Sequence, residues 1–234
     1  MIIPPVRIVP VLDLQRGIVV HARRGDRAGY APLRSPLVQG AEPVAVARAL
    51  CAHAGSDRLY VADLDAIAGA PADVRTLRRL AAVAELWVDA GAVSAESAAA
   101  LGEAGAARNV VGTESLTGAG FDAVGGPPLV LSVDLRDGRL ISPRSELEGQ
   151  APEAAAGLAE TIGVRELLVI DLALVGSRAG PPLEAVATLV AALPGVDVYA
   201  GGGVRDDRDL EALTRAGAAG ALVATALHAG AITV

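Results

Sequence analysis

Two aspartates stand where acid–base chemistry is feasible. Asp13 follows the apolar run at residues 7–12, and Asp134 follows the apolar run at residues 129–133. A carboxylate at the end of such a run costs desolvation energy unless it meets water or a partner. Burial also raises its pKa, so that it can hold a proton near neutrality. Two carboxyl groups in equivalent places can then divide the roles of general acid and general base. Asp63, Asp65 and Asp171 also end strand-like runs, and for them bonding to loop N–H groups is an equal reading.

Small-residue turns form the second constellation. Gly202 and Gly203 lie in Gly201-Gly202-Gly203-Val204, and Ala224 and Thr225 follow the next apolar run. Glycines let backbone N–H groups approach phosphate oxygens, and helix starts add partial positive charge. Gly91, Ala92, Gly112 and Thr113 repeat this arrangement earlier in the chain, although Asp89 and Glu114 bring negative charge beside them. Both pairs of turns are expected to bind phosphate; the plainer alternative is chain reversal at positions needing positive φ. The run Arg23-Arg24-Gly25-Asp26-Arg27 is either a solvated charge run or a loop that closes on an anion. His21, His53 and His228 have no metal-ligand spacing, and Cys51 is the sole cysteine, which excludes an internal disulfide and a thiolate cage.

The elements that must position these residues alternate. Strands are expected at 7–12, 58–62, 85–89, 109–111, 129–133, 166–170, 196–199 and 221–223, with a short hairpin arm at 18–22. Helices are expected at 43–53, 73–82, 95–104, 118–124, 152–161, 183–193 and 206–216. Eight βα units within 234 residues point to a (βα)8 TIM barrel in one domain, residues 1–234, with the C-terminal helix short or missing. Hydrophobic residues make up 52% and aromatics 2%, as buried parallel strands built from Val, Leu, Ile and Ala require. The net charge of −7 lacks the basic stripe of a nucleic-acid binder. No stretch reads as a membrane span or leader, so a cytoplasmic location is expected.

The chain also repeats itself. Asp13-Leu14-Gln15-Arg16-Gly17 matches Asp134-Leu135-Arg136-Asp137-Gly138, Val61-Ala62-Asp63-Leu64 matches Val169-Ile170-Asp171-Leu172, and Ala90-Gly91-Ala92-Val93 matches Gly201-Gly202-Gly203-Val204. Val111-Gly112-Thr113 matches Val223-Ala224-Thr225 in the same order. Two half-barrels, roughly residues 1–124 and 125–234, place the two aspartates across one mouth. A ligand with a phosphate at each end would fit between the turns.

Taken together, Asp13, Asp63-Leu64-Asp65-Ala66, Ser132-Val133-Asp134-Leu135-Arg136-Asp137-Gly138, Gly202-Gly203-Val204 and Thr225-Ala226-Leu227 resemble the HisA/HisF family of histidine-biosynthesis barrels. The HisA type, the ProFAR isomerases, is the nearer. The resemblance implies an Amadori rearrangement of a phosphorylated ribosylamine, ProFAR or a related compound. Asp134 would be the general acid and Asp13 the general base, or the reverse, with no cofactor and no metal. His21, Arg23, Asp171 and Ser177 would contact substrate. The family's usual Thr-Asp at the end of the sixth strand is Ile170-Asp171 here, its loop acid is Val175, and its first-loop arginine is His21. Two alternatives follow: a paralogue serving another pathway, such as a one-carbon or pterin-linked cofactor, or a non-catalytic phosphate-binding subunit. A missing last helix would expose an apolar flank and favour a homo-oligomer.

Overall fold

The structure, a computed structural model, describes residues 5–23, 25–116 and 126–232. In chain order it runs β1 (Arg7–Gln15), β2 (Ile18–His21), β3 (Ala31–Pro32), α1 (Pro43–Ala54), β4 (Arg58–Asp63), α2 (Leu64–Ile67), α3 (Val74–Ala81), β5 (Glu85–Asp89), α4 (Ala95–Glu103) and β6 (Ala106–Gly112). It continues β7 (Leu129–Arg136), β8 (Arg139–Leu140), α5 (Ala156–Ile162), β9 (Glu166–Asp171), α6 (Leu183–Ala192), β10 (Asp197–Gly201), α7 (Asp207–Arg215), β11 (Gly220–Val223) and α8 (Thr225–His228). β1, β4, β5, β6, β7, β9, β10 and β11 pair in parallel in that order. Pairing of β11 with β1, from Arg7 opposite Gly220 to Pro10 opposite Val223, closes the barrel.

Local sequence explains the elements. α1 starts with Pro43 in its first turn and the Glu42 carboxylate accepting from the Ala45 N–H, and ends at Gly55 with φ 56°. Its inner face carries Val46, Ala47, Leu50, Cys51 and Ala54, the spacing of one helical stripe. α7 begins where the Asp206 carboxylate accepts from the N–H groups of Arg208 and Asp209. The helix expected at 152–161 opens instead as a 3₁₀ turn, Pro152–Ala155, and becomes α-helical only at Ala156. The helix expected at 118–124 lies outside the described residues.

Two cores result. One lies between strands and helices; the other fills the barrel with Val9, Tyr60, Trp87, Val110, Val130, Leu168, Tyr199 and Leu222. Tyr60, Trp87 and Tyr199 are the bulkiest side chains of this inner core. Trp87 and Tyr199 meet edge to face with centroids 4.8 Å apart, and Arg58 stands 5.6 Å over the Trp87 ring. The end of the barrel formed by strand N-termini is tied by Arg58–Glu85 at 3.5 Å and Arg108–Glu166 at 2.6 Å. The strands' C-termini open at the opposite end.

At that open end β1 and β7 each continue into a hairpin. β1 pairs antiparallel with β2, which carries it past the expected residue 12 to Gln15. The turns match closely: Arg16 and Asp137 have φ 53°, and Gly17 and Gly138 have φ 75°. The Asp65 carboxylate accepts from the Arg16 N–H in the first half. In the second half Asp171 takes that part, accepting from the N–H groups of Asp137 at 3.3 Å and Gly138 at 2.8 Å, and also from Ala173 at 3.0 Å.

The eighth unit is closed by one short turn, α8, as the sequence led us to expect. The flank is nevertheless covered, because Ala226, Leu227 and Ile232 are buried there. Among the described residues the exposed large apolar side chains are Ile18, Val93 and Leu183, none of them in β11 or α8. No helix among the described residues is long and apolar enough to cross a membrane.

We expect Asp171→Ala to cost about 1–2 kcal/mol, since it removes a buried carboxylate that accepts from three N–H groups of the hairpin and the following turn. Urea unfolding of the variant checks this; a midpoint equal to that of the parent protein would show that the hairpin does not depend on Asp171.

Candidate active site

The open end holds a cavity of about 340 Å³, and Asp13 and Asp134 both line it. β1 and β7 deliver them at corresponding places, each just before its hairpin turn. Asp134 is 5% exposed. The Ser132 hydroxyl donates to its Oδ1 at 2.7 Å and the Glu114 N–H to its Oδ2 at 3.2 Å. Its own N–H donates to Thr113 Oγ1 at 3.0 Å. Gly112 is glycine for want of space, because a Cβ there would overlap Asp134 Oδ2.

Burial dominates the electrostatics. It pushes Asp134 up to about 8, aided by the negative charge of Glu114 and opposed by the Ser132 hydrogen bond. Burial pushes the half-buried Asp13 up to about 7, and the Arg27 guanidinium pulls against it. Asp89 rises to about 6 for the same reason, although it accepts from the Gly91 N–H at 3.2 Å and from the Tyr60 hydroxyl at 3.4 Å. Arg27 bonds Glu114 at 2.6 Å inside the same cavity.

The sequence-derived residues divide into two groups. Gly202, Gly203, Ala224, Thr225 and His21 line the cavity with the two aspartates. Gly202 and Gly203 have φ 91° and 78°, and a Cβ on Gly203 would collide with the Gly180 carbonyl, so this turn also has a structural need for glycine. His21 Nε2 lies 3.4 Å from Thr225 Oγ1, and His228 Nδ1 lies 2.8 Å from Ser35 Oγ. Burial lowers both imidazoles, helped by Arg23 at His21 and by the other histidines at His228, which falls to about 4.

The second group does not reach the cavity wall. Gly91, Ala92, Gly112 and Thr113 lie behind it, because Asp89 takes the Gly91 N–H and Asp134 packs into the space beside Gly112 and Thr113. Asp171 is consumed by its hairpin. Ser177 donates to the Leu174 carbonyl and accepts from the Ala179 N–H, and Arg23 is exposed outside the lining. Residues that sequence reasoning left unassigned stand in their place: Tyr30, Tyr60, Arg136 and Arg178, with Asp89 and Glu114. Ile170, Leu172 and Val175 make an apolar wall. Among the described residues, no three His, Cys, Asp or Glu side chains are grouped to hold a metal.

This architecture, a closed barrel with paired acids over its open end, is that of an α/β-barrel enzyme class. Comparison with known proteins makes it specific. The family described as histidine biosynthesis protein matches residues 7–233, and the chain belongs to it. A ProFAR isomerase of Rubrobacter xylanophilus, named for an imidazole-4-carboxamide substrate with two 5-phosphoribosyl groups, is 34% identical over 98% of this chain and 94% of its own length. One from Halobacterium salinarum is 32% identical over 97% of this chain and 93% of its own. An uncharacterized protein of Methanocaldococcus jannaschii is 29% identical over 96% and 94%. The chain is thus a HisA-like member of the family.

The raised carboxyl pKa values have a stability consequence. Between about pH 4 and 8 the folded protein holds a proton on Asp134 that the unfolded chain has released, so stability falls as pH rises through that window. We expect Asp134→Asn to flatten this fall. Urea midpoints from pH 5 to 8 measure the slope; a variant as steep as the parent would mean that Asp134 is ionised in the folded protein.

Proposed function

We propose that the chain is an isomerase that performs an Amadori-type aldose–ketose rearrangement on a phosphorylated ribosylamine, either ProFAR or a related compound. The observation that carries this reading is the pair of carboxyls on β1 and β7, facing one cavity, with pKa values of about 7 and about 8. Such values lie at and just above neutrality, where a general base can be partly ionised and a general acid largely protonated.

The steps balance without a cofactor. Asp134 gives its proton to the ribose ring oxygen as the C1–O bond breaks, and the amine nitrogen's lone pair forms the C1=N bond of a Schiff base. Asp13 takes the C2 proton, and the C2–H electron pair moves into a C1=C2 bond while the nitrogen recovers its own. The resulting enaminol loses its hydroxyl proton and gains one at C1, leaving a ketone at C2. The substrate's own nitrogen is the electron sink. Gly202, Gly203, Ala224 and Thr225 would receive a phosphate, with neutral His21 beside Thr225 as a further hydrogen-bonding group.

A paralogous substrate is favoured by one observation. The wall made by Ile170, Leu172 and Val175 offers no side-chain hydrogen bond, so it suits a less polar group than a carboxamide.

We expect Asp13→Asn and Asp134→Asn each to lower kcat by about 10²–10⁴ in a ProFAR conversion assay, with folding retained. For the parent protein kcat/KM should follow a bell with limbs near 7 and 8. Unchanged turnover in both variants would exclude the acid–base assignment and leave a binding subunit as the better reading.

A further inference from the structure

The two halves of the barrel present different surfaces to a ligand. After β10 and β11 the cavity wall is backbone and small side chain, at Gly202, Gly203, Ala224 and Thr225. After the corresponding β5 and β6 it is carboxylate, at Asp89 and Glu114. Two backbone donors of this half are already engaged, the Gly91 N–H by Asp89 and the Glu114 N–H by Asp134. Arg27, which also lines the cavity, is held by Glu114 at 2.6 Å.

We propose that this site takes a ligand with a single phosphate, held at the Gly202 and Thr225 end, whose other end is uncharged or cationic and hydrogen-bonds to Asp89 and Glu114. The inference rests on the phosphate reading given above for the second half. A dianion in the first half would lie against two carboxylates, with the N–H groups of Gly91 and Glu114 already taken. Like charges brought together in a site shielded from water repel more strongly than in bulk solvent. A hydroxyl or amine at the same place meets acceptors instead. Asp89, 8% exposed and fixed by Gly91 and Tyr60, is therefore the specificity-determining residue.

The test is calorimetric titration of the full chain with ProFAR, with its two singly dephosphorylated forms and with ribose 5-phosphate, at pH 7.5 and low salt. We expect at least one monophosphate to bind tenfold or more tighter than ProFAR. Asp89→Asn combined with Glu114→Gln should tighten ProFAR by tenfold or more and move ribose 5-phosphate less than threefold. ProFAR bound by the parent protein as tightly as every monophosphate, or more tightly, overturns the inference while leaving the phosphate reading intact. No heat with any of the four removes the phosphate reading itself, and the inference with it.

Discussion

Everything at the open end of this barrel is arranged around the cost of taking carboxyl groups out of water. An ionised carboxylate buried without compensation is costly enough that it protonates instead. Asp13, Asp89 and Asp134 all face this constraint in one cavity, and burial is the largest influence on each. The surrounding structure answers in graded fashion. Ser132 and the Glu114 N–H steady Asp134, Tyr60 and the Gly91 N–H steady Asp89, and Arg27 acts on Asp13. The opposite end, closed by Arg108–Glu166 and Arg58–Glu85, carries its charges as satisfied ion pairs, which give packing but no reactivity.

The half-barrel correspondence is tight in backbone and loose in side chains. The hairpin turns at Arg16-Gly17 and Asp137-Gly138 share their left-handed angles, yet Asp65 anchors one and Asp171 the other. An anchor at the strand end is freed for other use only if its neighbour takes the load. In the first half the strand-end Asp63 still does structural work, capping α2 through the Ala66 N–H and accepting from the Asp73 N–H. The phosphate-like turns diverge for the same reason. At Gly91 the Asp89 carboxylate accepts the turn N–H that a phosphate would otherwise use.

This divergence marks the boundary of what the sequence discloses. Eight alternating units and the two acid-ended apolar runs were legible, because hydrophobic periodicity and the desolvation of Asp13 and Asp134 are local properties. Gly91 and Gly112 looked like phosphate turns because glycine spacing is local too. That Asp89 bonds back to Gly91, and that Gly112 makes room for an oxygen of Asp134, are facts of side-chain direction across strands. Tyr60 gave no signal, since an aromatic within a buried strand reads as packing and only the fold brings its hydroxyl to Asp89. Arg27 was visible as part of a charged run, but only its bond to Glu114, distant in sequence, separates it from exposed Arg23. The start of α5 was misplaced because Pro152 favours a helical first turn without deciding between 3₁₀ and α.

The Arg27–Glu114 pair also bears on the proposed division of roles between the duplicated carboxyls. Two equivalent halves closed around one cavity give two similar acids, and similar acids titrate alike. The ion pair is an oriented dipole between them. Its positive end lowers Asp13, and its negative end raises Asp134. In the proposed reading this 2.6 Å contact acts on the two carboxyls in opposite directions, favouring ionisation at Asp13 and protonation at Asp134. Because the dipole is fixed by the first loop and the end of β6, the proposed division of labour is set by loops that the repeat does not copy, rather than by the strands that it does.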